Sequence, residues 1–277
     1  ESDRKQLVFW LSYVAHFLDR LQKFNSDPDY HFQGNVSETG VLSPDQITAG
    51  CLHGSFSKEE QEVQNLLLHI YTMLIRNLTK ELERITCPGI LGAENLIAVK
   101  KDVTMREKLK APITIRDLVR LLDEILQVSL QNDLLRPVLK QIFSPVFYRV
   151  NNLLFTALLG QHSLCTPDMG IQIKSNLSDI TAWVARSPPK VQPILHQAQQ
   201  WTNHVIQASN FFLTISNEAL FSSYENVLAT FPLLNLAHIK HFTDMYMENA
   251  AHIAIPDKVI QTIDETAARS KDLGRMQ

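Results

Sequence analysis

The sequence is poor in the residues that staple a small protein or build a fibre. Only 3 of its 277 residues are cysteine and 9 are glycine, and no CxxC pair occurs. A chain of this length can bury a core of its own, so it needs neither disulfides nor a structural metal to be stable. Widely spaced cysteines are typical of reduced thiols in the cytosol. We therefore expect an intracellular, cytoplasmic protein.

An excess of charge and a long apolar run are also missing. Lys and Arg number 26 against 29 Asp and Glu, which gives a formal charge of −3. Such a weak net field does not favour general capture of nucleic acid. No stretch reaches the roughly 18 uninterrupted apolar residues of a membrane helix, and the start ESDRKQ lacks the apolar block of a signal peptide. We predict no nucleic-acid partner, no transmembrane segment and no export.

The motifs of the readily recognised enzyme classes are absent as well. The sequence has no GxSxG, GxxxxGK[ST] or HExxH motif and no strand-linked GxGxxG. Two weaker candidates are a metal site at His238, His241 and Asp244, which are spaced three apart, and a nucleophilic cysteine. The first is better explained by surface or capping histidines, and the second needs a histidine and an acid nearby in space. We predict no enzyme, no metal and no cofactor.

Apolar residues make up 45% of the chain, and they recur with the period of a helix. The first segment places Leu7, Leu11, Val14, Leu18 and Leu21 at spacings of four, three, four and three. Similar stripes predict helices over residues 58–85, 114–130, 137–160, 168–185, 191–208, 217–228, 235–249 and 256–273. We predict an all-α fold, an irregular multi-helix bundle formed by a single domain over residues 1–277, with flexible loops at 26–57 and 86–112.

One segment, PVLKQIFSPVFYRVNNLLFTALLG, is apolar on most sides. Such a helix belongs at the centre of a bundle, surrounded by other helices. Pro145 is expected to kink it, and Gly160 is expected to end it. An earlier helix is expected to stop at Cys87-Pro88-Gly89 for the same reason.

Aromatic residues give a further indication of where partners could bind. Trp10, Trp183 and Trp201 fall on or beside inward stripes, which predicts core packing, with a peptide groove as the alternative. Phe211-Phe212 and Phe231-Pro232 flank short helices. If these phenylalanines are exposed at the helix ends, they are partner anchors.

Three segments resemble the dilute (DIL) domain, found in the cargo-binding tails of class V myosins and in junctional adaptors such as afadin. FWLSYVAHFLDRLQKF resembles its opening helix, KQIFSPVFYRVNNLLFTALL its central helix, and CTPDMGIQIKSNLSDITAW its most specific signature. The signature residues, which we interpret as structural, are Cys165, Gly170, Gln172, Ile173, Lys174, Asn176, Leu177, Ser178 and Trp183.

The resemblance implies a non-enzymatic module that binds proteins, such as helices or peptides of scaffold, cytoskeletal or cargo-adaptor proteins. IPDKVIQTIDETAARS also resembles the last helix of the afadin-type domain, and the chain ends 94 residues after Trp183, which is short for a myosin tail. We therefore favour an adaptor of cell junctions or small-GTPase signalling, which would bind a GTPase through another domain. The alternative is the globular tail of a class V myosin. The resemblance does not identify the partner-binding residues.

Overall fold

Helices form the regular structure of the residues that the computed structural model describes, namely 2–26, 57–92, 95, 112–248 and 255–275. No strand occurs in these ranges, and the all-α prediction is confirmed. The helices are α1 (Ser2–Ser26), α2 (Ser57–Leu91), α3 (Ile115–Gln131), α4 (Arg136–Gly160), α5 (Pro167–Arg186), α6 (Gln192–Gln199), α7 (Asn203–Thr214), α8 (Tyr224–Thr230), α9 (Leu236–Met247) and α10 (Asp257–Arg275). The predicted loop at 26–57 lies outside the described residues except at its two ends, and so does most of the predicted loop at 86–112.

The chain packs into two compact units. The described parts of residues 1–76 and 125–138 form the first unit, and those of 77–124 and 139–277 form the second. The boundary falls inside α2, α3 and α4, so each of these helices contributes to both units. That residues 1–277 form a single domain stays a prediction, which one cooperative unfolding transition would support.

In the first unit, α1 buries one face and also holds a turn. Val8, Leu11 and Val14 are at most 6% exposed on that face. The hydroxyl of Ser12, on the same face, donates to the carbonyl of Asn132. The next carbonyl, of Asp133, accepts from His16 Nε2 at 2.7 Å. Asp133 has a φ of 50°, a backbone angle that residues other than glycine adopt reluctantly. The two hydrogen bonds from α1 therefore stabilise a turn that would otherwise be strained.

In the second unit, α4 is the central helix that its composition predicts. Nine of its residues are buried, from Leu139 to Leu158. The carboxamide of Asn151 is buried among them, where its Oδ1 accepts from the backbone N–H of Val205 at 3.2 Å. The polar side chain in α4 therefore has a definite partner in the first turn of α7. Gly160 ends the helix as expected.

By length and composition alone, α4 could also cross a membrane, and it is the one helix among the described residues for which this holds. The prediction of no transmembrane segment rested on the polar and charged residues that interrupt this stretch, among them Lys140 and Arg149, and it stays a prediction. The burial of α4 and its bond to α7 account for the composition, because a helix that is covered on most sides by protein needs the same apolar residues.

A cluster of phenylalanines fills the core of the second unit. Phe211 packs edge-on against Phe221 at 5.8 Å and Phe231 at 5.6 Å, and Phe212 packs against Phe242 at 5.3 Å. All five rings are at most 1% exposed. The condition under which Phe211-Phe212 and Phe231 would be partner anchors, exposure at the ends of short helices, is therefore not met.

The predicted stop at Cys87-Pro88-Gly89 is also wrong, since α2 continues through Pro88 to Leu91. Pro88 cannot donate to the carbonyl of Arg84, which is a local cost. The additional turn buries Ile90 and Leu91 completely, and this burial offsets the cost. Gly89 permits the arrangement, because a Cβ atom there would lie 2.9 Å from the carbonyl oxygen of Thr114.

Candidate functional site

The signature segment lies almost entirely on α5, and its residues divide by helix face. Ile173, Leu177 and Trp183 are at most 5% exposed. Lys174 and Ser178 are exposed on the other side of the helix. The helix starts as its sequence predicts, because the side chain of Thr166 accepts from the backbone N–H of Met169 and Pro167 occupies the first turn.

Polar signature residues bind groups inside the second unit. Asn176 Nδ2 and Gln172 Nε2 donate to the same carbonyl, that of Ile90, at 2.8 and 3.3 Å. This carbonyl lies in the last turn of α2, where no helical N–H is available to it. Trp183 is buried as predicted, and its indole N–H donates to Asp123 at 3.1 Å. The amides therefore cap α2, and the indole joins α5 to α3.

Gly170 sets the distance between α5 and α7. A Cβ atom at this position would lie 2.9 Å from the carbonyl oxygen of Ser209, closer than real Cβ atoms come. The two helix backbones can therefore approach this closely only because position 170 has no side chain.

The cysteines near the signature lack the properties of a nucleophile. Burial raises the pKa of Cys87 to about 11 and that of Cys165 to about 12. Both thiols donate to backbone carbonyls, Cys87 to Leu153 at 3.6 Å and Cys165 to Leu158 at 3.4 Å. At neutral pH they remain protonated, and the thiolate is the reactive form. Cys51 lies outside the described residues.

Two histidines pack on one ring of α4, and a third binds a carbonyl of the same helix. Phe155 packs edge-on against His238 at 5.0 Å and against His204 at 6.3 Å. One turn along α4, the carbonyl of Leu159 accepts from His241 Nε2 at 2.8 Å. Asp244, the third member of the possible metal site, binds Lys240 instead. Among the described residues no group of His, Cys, Asp and Glu could hold a metal ion.

This histidine cluster predicts an acid-sensitive fold. Burial lowers the pKa of His238 below its ordinary 6.5, and the nearby His204 and His241 lower it further. Because the unfolded chain then binds the proton more readily than the folded chain, stability is complete above pH ~6.5 and is lost as the pH falls toward the lowered pKa. We expect urea midpoints measured between pH ~7.5 and ~5 to fall with pH, and to fall less in His238→Gln. His196→Gln, at an exposed position of α6, is the matched control, and a wild-type slope in His238→Gln would contradict the assignment.

Exposed aromatic side chains are the features that the sequence interpretation placed wrongly. Trp10 and Trp201 were expected in the core, yet they are 52% and 45% exposed. Trp201 packs edge-on against Tyr148 of α4 at 5.4 Å, and Tyr148 is itself 47% exposed. On α1, Trp10 lies beside Phe9 and Tyr13, which are also about half exposed. Such rings are typical anchors of protein interfaces.

Comparison with known proteins finds a family model and curated relatives that resemble part of this sequence. The family model of the DIL domain matches residues 141–250, which run from α4 to just beyond α9 and include all the signature residues. Human unconventional myosin-Vc is 23% identical over 190 residues, which are 66% of this chain and 10% of that protein. The chain thus spans about a tenth of the length of the curated relatives it matches.

Two solved structures have the same fold. The myosin V cargo binding domain superposes with a TM-score of 0.70 at 13% identity, over 99% of this chain and 63% of that one. Myo2-GTD in complex with Mmr1 gives 0.69, also at 13% identity and with the same coverage. Residues 141–250 therefore resemble the DIL domain, and the chain has the all-α fold of the myosin V cargo-binding domains.

Proposed function

We propose that this chain is a non-enzymatic protein-binding module of the kind found in the globular tails of class V myosins. Its partners are helices or peptides of cargo-adaptor, scaffold or cytoskeletal proteins, and it acts in the cytoplasm without a cofactor. The observation that carries the proposal is the likeness of fold to the myosin V cargo binding domain over 99% of the chain. The solved complex of Myo2-GTD with Mmr1 supports it, because that protein of the same fold binds another protein.

The chemistry of the described residues supports a binding role over a reactive one. Of the two described cysteines, Cys165 is buried and Cys87 is half-buried, while His238 packs on a phenylalanine ring and His241 binds a carbonyl. The signature residues that make hydrogen bonds use them within the second unit. We propose on this basis that the signature is structural and that partners bind elsewhere on the surface.

A second candidate is the adaptor of cell junctions or small-GTPase signalling. The observation in its favour is the similarity of IPDKVIQTIDETAARS, which starts at Ile255 and continues into α10, to the last helix of the afadin-type domain. The curated matches favour the myosin alternative. The full-length sequence distinguishes the two, since a motor domain and coiled-coil heptads precede a myosin tail, whereas a GTPase-associating domain indicates an adaptor.

Affinity capture tests the binding role itself. The purified chain should recover from cell extract at least one protein that then binds it saturably in isolation, with a Kd of about 10 μM or tighter. Heat-denatured chain is the control for adhesion to exposed apolar surface. Repeated capture without any saturable partner, or turnover of a small molecule that follows the purified chain, would contradict the proposal.

A further inference from the structure

Helix α1 has a second apolar face that the first unit leaves exposed. Phe9, Trp10, Tyr13 and Phe17 are 48%, 52%, 61% and 51% exposed. At 100° per residue these four positions fall within an arc of about 100°, on the side opposite to the buried Val8, Leu11 and Ala15. We call these four residues the aromatic stripe. It lies outside residues 141–250, which the family model matches.

The rings of the aromatic stripe are packed against one another in advance. Phe9 and Trp10 meet edge-on with their centroids 5.4 Å apart, and Trp10 and Tyr13 do so at 6.0 Å. A partner therefore loses less side-chain entropy on binding them than on binding separate flexible residues. Core packing does not account for the stripe, because the core of the unit is already served by the other face of α1.

The size of the aromatic stripe decides what covers it. From Phe9 to Phe17 it extends about 12 Å along the helix axis. Four aromatic side chains, each about half exposed, offer roughly 400 Å². A stable interface between folded proteins needs about 800 Å² on each side. The stripe is therefore too small for a second copy of this chain, and its length matches two to three turns of one helix.

The shape of the aromatic stripe favours a helix over an extended peptide. Its rings project from a convex helix as a ridge, and such a ridge fits between the side chains of a crossing helix. A proline-rich peptide would need a slot between aromatic faces. The neighbouring rings Phe9, Trp10 and Tyr13 meet edge to face and leave no such slot. An added strand would need a sheet edge, and the described ranges contain no strand.

We propose that the aromatic stripe is the docking surface for an amphipathic helix of another protein, with large apolar side chains at positions i, i+3, i+4 and i+7. The proposal rests on the proposed protein-binding function and names the surface and the kind of partner. The partner helix packs across α1, and the rings of Trp10 and Tyr13 are its main contacts. Binding by this surface needs no residue of the signature segment.

The test uses a phage-displayed library of 18-residue helical peptides, randomised on one face and selected against the whole chain. Affinities of the enriched peptides are then measured by fluorescence anisotropy for the wild type and two double variants. Trp10→Gln with Tyr13→Gln removes half of the aromatic stripe. Tyr148→Gln with Trp201→Gln removes the other exposed aromatic pair and is the matched control. Circular dichroism melts check that each variant folds. If the variant with Trp10→Gln and Tyr13→Gln does not fold, Tyr13→Gln alone replaces it.

We expect the stripe variant to bind the enriched peptides at least about tenfold more weakly, and the control variant to bind them as the wild type does. Loss of binding in the control variant alone, or no enriched peptide at all, overturns this proposal. Either result leaves the protein-binding function to the capture experiment. If the wild type self-associates in sedimentation equilibrium and the stripe variant does not, a second copy of the chain covers the stripe. Stripe-dependent co-sedimentation with phosphatidylcholine–phosphatidylserine vesicles would make the occupant a membrane, and both results overturn the proposal.

Discussion

Leu177→Asp is expected to lower the free energy of unfolding by about 4 kcal/mol or more. Leu177 is 4% exposed, on the inward face of α5 between Ile173 and Ile180, which are almost completely buried. A carboxylate there would lose its water without gaining a cation. It would then take up a proton or force the helix outward, and both responses destabilise the fold. Urea denaturation followed by far-ultraviolet circular dichroism measures the loss.

Lys174→Asp is the matched control for this prediction. Lys174 lies on the same helix, one turn before Ser178, and its side chain is exposed. Its replacement introduces the same aspartate in water, so we expect a change within about 0.5 kcal/mol. If the two variants melt at the same temperature, the assignment of the faces of α5 is wrong. A large loss of stability in Leu177→Asp would not locate the binding surface, because Leu177 is buried and its replacement disturbs the core.

The faces of α5 could be predicted because burial of a helix follows a period that the sequence displays. Ile173, Leu177 and Ile180 recur at the spacing of one face, and the structure buries all three. Local signals also placed the helix starts. Thr114 precedes α3 as predicted, and its N–H donates to Asp117 at 2.8 Å in the first turn. Such signals involve residues only three or four positions apart.

The position of a helix end or an aromatic side chain depends on distant residues, and there the sequence misleads. Pro88 looked like a stop, but the burial of Ile90 and Leu91 extends α2 beyond it. Likewise the helix expected at 217–228 is a shorter one, Tyr224–Thr230. The segment before it contains Phe221, which packs on Phe211 and is completely buried.

The candidate surface shows the same limit. Trp10 and Trp183 both lie beside an apolar stripe. Trp183 is buried and donates to Asp123 of α3, whereas Trp10 is about half exposed. An angular plot of α1 would have placed the four residues of the aromatic stripe opposite to Val8, Leu11 and Ala15. Such a plot indicates two apolar faces on one helix, but only the packing of neighbouring helices decides which face stays exposed.

Gly170→Ala is the second substitution with a large expected effect, and a single methyl group causes it. The new Cβ atom would lie 2.9 Å from the carbonyl oxygen of Ser209 and 3.2 Å from Leu213 Cγ. The leucine side chain can rotate away, but the carbonyl belongs to the backbone of α7, so α5 and α7 must move apart. We expect a loss of about 1–3 kcal/mol in urea denaturation, typical of an overpacked core.

Gly160→Ala separates this steric effect from the general preference of helices for alanine. Gly160 is the last residue of α4, and a Cβ atom there would meet nothing within 4 Å. Its φ is not positive, so alanine fits its backbone, and we expect no loss and at most about 1 kcal/mol of gain. Equal stability of Gly170→Ala and the wild type would contradict the close approach of α5 and α7. A loss at position 170 alone would show that the glycine of the signature is required by the distance between two helices, as a structural role of the signature requires.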